Sequence, residues 1–121
     1  MTQPFRTIDR SELEKALASS EPDNEERRRG FALVNVLDPD AFRRERIPGS
    51  INIPSDHLGE FDRLFRKEKP IIVYCASPDC AASHEAAAAL ARRGFDHVFE
   101  YEGGLRDWKD GGNPVEGRAA A

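Results

Sequence analysis

The most regular apolar pattern in the chain runs from residue 70 to residue 93 and reads PIIVYCASPDCAASHEAAAALARR. It begins with an apolar, largely β-branched run, Ile71–Tyr74, which stops at Cys75. A loop of small residues follows, and then an alanine-rich segment that ends in two arginines before Gly94. This order predicts a buried strand, a loop and a helix.

Cys75 stands where the predicted strand ends and the loop toward the helix begins. Backbone N–H groups that lack partners at such a place can face the sulfur and favour the thiolate over the thiol. Thiolates are the nucleophilic form of cysteine. Cys75 is therefore the candidate nucleophile.

The N-terminal part of the chain also alternates between helical and extended patterns. Asp9 and Glu12 form a capping-box signal for a helix with an apolar face made by Leu13, Ala16 and Leu17. Residues 20–30 are polar and predict a connecting loop or a frayed helix end. Residues 31–37, FALVNVL, predict a strand buried on both faces. Within that strand Asn35 is either a buried structural amide or a residue that orients the site, and in both cases it needs hydrogen-bond partners.

The middle of the chain continues the alternation. Asp38 and Pro39 predict the start of a short helix in which Phe42 packs inward, and Pro48 with Gly49 predicts a turn into a strand over residues 50–53. Residues 57–66 predict a helix that covers the sheet, with His57 exposed near its start. The apolar positions of that helix are Leu58, Phe61, Leu64 and Phe65.

After the alanine-rich segment, residues 95–101 predict another strand that leads into a last helix. Trp108 should anchor that helix in the core, and Gly103 and Gly104 should allow close backbone approach to the loop after Cys75. Strands that alternate with helices imply a parallel sheet with helices on both faces. Such sheets place their sites at the carboxyl ends of the strands, which is where Cys75 lies.

Length and composition favour one compact domain over residues 1–121, with a core over about residues 5–115. The formal net charge of −4 and the interspersed signs argue against binding to nucleic acid or to a membrane surface. The first residues, MTQPFRTIDRSEL, lack the apolar core of a secretion signal, and no stretch is long and apolar enough for a membrane span. We therefore expect a cytoplasmic protein, a monomer or weak dimer, with thiols rather than a structural disulfide.

Several motifs, in order, resemble the rhodanese-like domain family of single-domain sulfurtransferases, over about Phe5 to Val115. They are ALVNVLDPDAFRRERIPGSINIP, the strand, cysteine, loop and helix around Cys75, and GFDHVFEYEGGLRDW with its Glu-Gly-Gly and following Trp. The resemblance implies an α/β fold, a three-layer α/β/α arrangement with a mainly parallel sheet of about five strands.

The resemblance also implies sulfurtransferase chemistry at Cys75. The thiolate would take a sulfane sulfur from a small donor, thiosulfate or a persulfide, and pass it to a small thiol, cyanide or a protein cysteine, without a metal or an organic cofactor. The loop would arch over the sulfur as a cradle of amide N–H groups. Its substrate-binding residues would be Ala76, Ser77, Pro78, Asp79, Cys80, Ala81, Ala82 and Ser83.

This chain departs from the family pattern at several positions. Asn35-Val36-Leu37 and Arg46 stand where the family has an Asp-x-Arg and a His, so the usual acidic residue and its basic partner are missing. The loop is longer than the commonest family form, contains no Lys or Arg, and carries Asp79. We therefore expect thiosulfate, a dianion, to be a poor donor. The missing arginine also argues against the phosphatase activity of relatives that share the fold.

Cys80 and His84 keep alternatives open. Four residues separate Cys80 from Cys75, so Cys80 is either a candidate redox partner or a small half-buried residue at the helix start. The spacing fits no common zinc module. His84 either faces solvent or helps acceptor docking or proton transfer. The competing functions are thus a sulfurtransferase, a dithiol redox switch or sensor, and a non-catalytic binding module, which the cysteine argues against.

Overall fold

The computed structural model describes residues 5–18 and 30–118. Within these ranges the elements alternate between strand and helix from β1 to α5. In chain order they are β1 (Arg6–Ile8), α1 (Arg10–Ala18), β2 (Ala32–Asn35), α2 (Pro39–Arg44), β3 (Ile51–Asn52), α3 (Gly59–Leu64), β4 (Ile71–Tyr74), α4 (Ala82–Arg92), β5 (Val98–Tyr101) and α5 (Gly104–Asp110).

The strands form one five-stranded sheet in the order β1-β5-β4-β2-β3. Every pairing between these strands is parallel, and β4 lies in the middle of the sheet. The predicted mainly parallel sheet of about five strands is therefore confirmed. Because β4 is hydrogen-bonded on both edges, the position of the residue that follows it is well defined.

The side chains of β4 alternate between two apolar clusters, one on each face of the sheet. Ile71 and Val73 join the cluster that contains Phe61 of α3 and Leu90 of α4. Ile72 and Tyr74 join the other cluster. That second cluster contains Leu13 of α1 and Trp108 of α5, so helices cover both faces, as predicted.

The predicted helix caps are present. The Glu12 amide donates to Asp9 Oδ1 over 2.9 Å, and the Asp9 amide donates to Glu12 Oε1 over 3.0 Å, which is the reciprocal capping box. The Ala41 amide donates to Asp38 Oδ1 over 2.8 Å, with Pro39 at the first helical position. These local bonds fix where α1 and α2 begin.

Asn35 is fully buried and has the partners that its amide requires. Its Nδ2 donates to Tyr74 Oη over 3.2 Å, and its Oδ1 accepts from the Leu37 amide over 2.9 Å. The Tyr74 hydroxyl also accepts from the Ile47 amide over 3.0 Å. Asn35 thus links the end of β2 to the end of β4, and the Tyr74 hydroxyl links β4 to the segment at Ile47.

Some predictions of packing and element length are wrong. Phe42 is only half-buried and belongs to neither core cluster, and the Arg46 guanidinium lies 4.9 Å from its ring centroid. Leu64, the last residue of α3, is 57% exposed, whereas Phe61 is fully buried. The strands predicted over residues 31–37, 50–53 and 95–101 are shorter. The predicted loop over residues 20–30 lies almost wholly outside the described residues.

Candidate active site

Cys75 directly follows the central strand β4 and is 1% exposed. Its single S–H has two acceptors within reach, the Cys80 carbonyl oxygen at 3.4 Å and Ser83 Oγ at 3.3 Å. Cys80 lies in the loop between β4 and α4 and Ser83 lies in the first turn of α4, so the chain curls around the sulfur. The structure therefore brings Cys75, Cys80 and Ser83 together, as the sequence suggested.

The loop residues differ in exposure. Ala76, Pro78, Asp79 and Ala81 are exposed, Ser77, Cys80 and Ala82 are half-buried, and Ser83 is buried. The Cys80 amide donates to the Ser77 carbonyl over 3.0 Å and closes a turn, whereas the Ser83 amide faces the sulfur. Of the expected cradle of backbone amides, the Ser83 amide is the one that faces the sulfur in this structure, whereas the Cys80 amide bonds within the loop.

Burial raises the pKa of the Cys75 thiol above its ordinary value, and the neighbouring Cys80 side chain adds to this rise. The Ser83 backbone amide, which faces the sulfur, acts in the opposite direction, as would the Ser83 hydroxyl when it donates to the sulfur, and these effects are smaller than that of burial. The prediction that the loop favours the thiolate is therefore wrong for this conformation, because desolvation of the negative charge outweighs the amide contribution.

Glu100, in the middle of β5, is a site residue that the sequence analysis missed. It is 2% exposed, and its Oε2 accepts from Ser83 Oγ over 2.8 Å. Its Oε1 lies 3.3 Å from Nδ1 of His84, whose ring also contacts Phe5 edge-on with the centroids 5.0 Å apart. A glutamate inside an otherwise apolar strand was the signal that could have identified it.

The first turn of α5 docks directly on the loop backbone. The Leu105 amide donates to the Cys75 carbonyl over 2.9 Å, and the Arg106 amide donates to the Ala76 carbonyl over 2.8 Å. Gly104 has a φ of 70°, and a Cβ there would lie 2.7 Å from the Cys75 carbonyl oxygen. The close approach predicted for the Gly-Gly pair is confirmed at Gly104, whereas a Cβ on Gly103 would instead meet the Asp107 side chain.

Arg106 brings a positive charge to the rim of a loop that has no basic residue of its own. Its guanidinium lies 3.9 Å from the Asp79 carboxylate, and both side chains are exposed. The sequence placed Arg106 in the last helix without connecting it to the loop. Only the docking of α5 on the Cys75 and Ala76 carbonyls brings the two segments together.

Within residues 5–18 and 30–118, no three metal-ligating side chains cluster as a metal ion would require. His84 is directed to Glu100 rather than to the two cysteines. None of the helices in these ranges is long and apolar enough to cross a membrane. Asn35 bonds to Tyr74 and Leu37 rather than to the loop.

A parallel five-stranded sheet with helices on both faces, and a loop that encloses a cysteine at the end of the central strand, are shared with a known family of proteins. The family model for the rhodanese-like domain matches residues 9–111, and the chain belongs to this family. Among curated relatives, the thiosulfate sulfurtransferase GlpE of Pseudomonas syringae pv. syringae is 35% identical over 83 residues, which cover 69% of this chain and 76% of that protein. GlpE of Actinobacillus succinogenes is 32% identical over 84 residues, covering 69% and 74%.

Solved structures agree with this assignment. A protein from Bacillus halodurans superposes with a TM-score of 0.79 at 33% identity, covering 94% of this chain and 78% of that one. A rhodanese-like domain from Anabaena superposes with a TM-score of 0.80 at 28% identity, covering 98% and 82%. The predicted family is therefore confirmed by sequence and by structure.

Gly104→Ala should destabilise the protein because a methyl group there meets the backbone of the Cys75 loop. Gly112 is a matched control, since its φ is 80° but a Cβ there has nothing within 4 Å. We expect Gly112→Ala to cost about 1 kcal/mol from the backbone conformation alone. Gly104→Ala should cost at least about 2 kcal/mol more. Denaturant unfolding of both variants measures the difference, and equal losses would contradict the steric argument.

Proposed function

We propose that this protein is a sulfurtransferase that carries a sulfane sulfur as a persulfide on Cys75. The observation that carries the proposal is a cysteine at the carboxyl end of the central strand, enclosed by one loop, in a chain of the rhodanese-like family. Relatives named thiosulfate sulfurtransferase support the same reaction class. Their names do not fix which donor this chain uses.

The reaction needs only sulfur chemistry. The Cys75 thiol loses its proton to solvent, and the thiolate attacks the outer sulfur of the donor. A new S–S bond forms on Cys75, the S–S bond of the donor breaks, and its electron pair leaves on sulfite or on a thiolate. An acceptor thiolate or cyanide then attacks the outer sulfur of the persulfide and releases the Cys75 thiolate.

We propose a small thiol or a protein cysteine as the acceptor, in a reducing cytoplasm where thiols are available. The exposed residues of the loop, such as Pro78 and Ala81, would meet such a partner first. Neither the donor step nor the acceptor step requires a metal or an organic cofactor.

A dithiol switch is the second candidate function, and the position of Cys80 favours keeping it. The Cys80 side chain is close enough to Cys75 to raise the pKa of that thiol, and Cys80 is half-buried against the core. A persulfide on Cys75 could be attacked by the Cys80 thiolate, which forms an intramolecular disulfide and expels hydrosulfide. The electrons balance without an added oxidant, because the sulfane sulfur is reduced to sulfide.

Cys75→Ser should abolish persulfide formation and leave the fold intact. Cys75 belongs to the core cluster, but serine is similar in size, so we expect a cost of about 1 kcal/mol. Cys80→Ser is the matched control and should still accept sulfur. Intact mass after incubation with thiosulfate and with an organic persulfide shows whether one sulfur atom has been added. Persulfidation of the Cys75→Ser protein would contradict the assignment.

Thiosulfate should be a weaker donor than an uncharged or monoanionic persulfide. The Asp79 carboxylate is 88% exposed at the loop and repels a dianion, and it also pairs with Arg106, the positive charge that would attract one. Asp79→Asn removes the negative charge, and Asp79→Arg also adds a positive one. We expect kcat/KM for thiosulfate to rise stepwise in this series, to about threefold to tenfold at low salt, and the gain to shrink as salt is added. Unchanged rates across the series would show that charge at the loop rim does not select the donor.

The lifetime of the persulfide separates the two roles of Cys80. If Cys80 resolves the persulfide, sulfur is lost faster from the wild type than from Cys80→Ser, because the tethered thiol has a high effective concentration. A disulfide form with two fewer protons then appears only in the wild type. Mass spectrometry over time measures both. Equal lifetimes without that disulfide would leave Cys80 as a packing residue.

A further inference from the structure

The buried carboxylate of Glu100 has no place in the sulfur-transfer scheme. It is 2% exposed, and a buried carboxylate is costly unless its oxygens are hydrogen-bonded. Its two oxygens bond to the Ser83 hydroxyl and to His84, whose side chain is 58% exposed. The chain of contacts from Cys75 through Ser83 to Glu100 therefore ends in a charged group behind the nucleophile.

The hydroxyl of Ser83 has one proton, so its direction decides what it does for Cys75. The Glu100 carboxylate oxygen at 2.8 Å and the larger sulfur atom at 3.3 Å are both within hydrogen-bond reach, but hydrogen bonds to carboxylates are stronger than neutral ones. The Ser83 proton therefore points to Glu100. Its oxygen is left to accept from the Cys75 S–H, which stabilises the thiol. A Ser83 hydroxyl that donated to the sulfur would instead lower the pKa of Cys75, and Glu100 takes the proton that this would need.

The charge of Glu100 acts in the same direction. The two consecutive hydrogen bonds keep the sulfur within about 6 Å of Glu100 Oε2, and a like charge at such a distance disfavours ionisation. Other titratable groups around this chain are Cys80 in the loop and His84 on α4. The neighbours in register with Glu100 on β1 and β4 are Thr7 and Val73, which carry no charge.

We infer that Glu100 is a positioning residue that holds Cys75 in the thiol form through the Ser83 hydroxyl. Burial of Cys75 is a separate effect that raises the pKa of the thiol in the same direction. The resting nucleophile is thereby shielded from unspecific electrophiles. The inference rests on the proposed function only in treating Cys75 as the nucleophile.

Alkylation of Cys75 by iodoacetamide across a range of pH tests this inference without a sulfur donor. All variants are made in a Cys80→Ser background, so that only Cys75 reacts. Glu100→Gln keeps the shape of the side chain and removes its charge. We expect the midpoint of its pH profile to fall by about one unit, with several-fold faster alkylation at neutral pH. Glu85→Gln is the control. It removes an exposed carboxylate from the first turn of α4, the turn that contains Ser83 and His84, and its pH profile should match that of the parent.

Circular dichroism and thermal melting check that each variant folds. Ser83→Ala tests the same inference independently, in case Glu100→Gln does not fold. Removal of an oxygen that only accepts from the thiol should also lower the midpoint, whereas Ser83→Thr keeps the hydroxyl and should leave it unchanged. A midpoint that rises or stays the same in a folded Glu100→Gln or Ser83→Ala variant overturns the inference. A rise would mean that the hydroxyl gives its proton to the sulfur. Because no sulfur is transferred in this assay, its result stands apart from the proposed activity.

Discussion

The site depends on the contact between the first turn of α5 and the backbone of the Cys75 loop. Two amides at the start of α5 satisfy the carbonyls of Cys75 and Ala76, at 2.9 Å and 2.8 Å. The approach is possible because Gly104 has no side chain and adopts a φ of 70°. This contact ties the end of β4 to α5, while the rest of the loop continues into α4 on the opposite face of the sheet.

The strand beneath the loop is equally constrained. β4 lies at the centre of the sheet, and its side chains enter the two apolar clusters alternately. At its last residue, the Tyr74 hydroxyl bonds to Asn35 and to the Ile47 amide. Tyr74, the residue before Cys75, is therefore fixed by packing and by hydrogen bonds together. A loop anchored at both ends can hold the sulfur in one position relative to its neighbours.

Charge is arranged differently on the two sides of the sulfur. On the inner side, the Ser83 hydroxyl leads to the buried Glu100 carboxylate. On the outer side, Asp79 and Arg106 form an exposed pair at 3.9 Å, which solvent screens. In the proposals above, the inner charge bears on the ionisation of Cys75, whereas the outer pair bears on the approach of a charged donor. These effects can be altered separately, because they involve different residues and different degrees of burial.

The sequence by itself determined the order and type of the elements. The apolar run before Cys75, the capping signals at Asp9 and Asp38, and the Glu-Gly-Gly followed by Trp108 depend on local patterns, and the structure contains each of them. Element lengths and the exposure of Leu64 and Phe42 were less predictable, because packing against the rest of the fold decides them.

Only the tertiary structure decided the environment of the sulfur. Glu100 and Arg106 lie far from Cys75 in the sequence, and they reach the site because β5 pairs with β4 and α5 docks on the loop. The raised pKa of Cys75 follows from burial and from the neighbouring Cys80 side chain, and a sequence pattern shows neither effect. The position of Cys75 is a local property of the chain, whereas its ionisation is set by residues that folding brings to it.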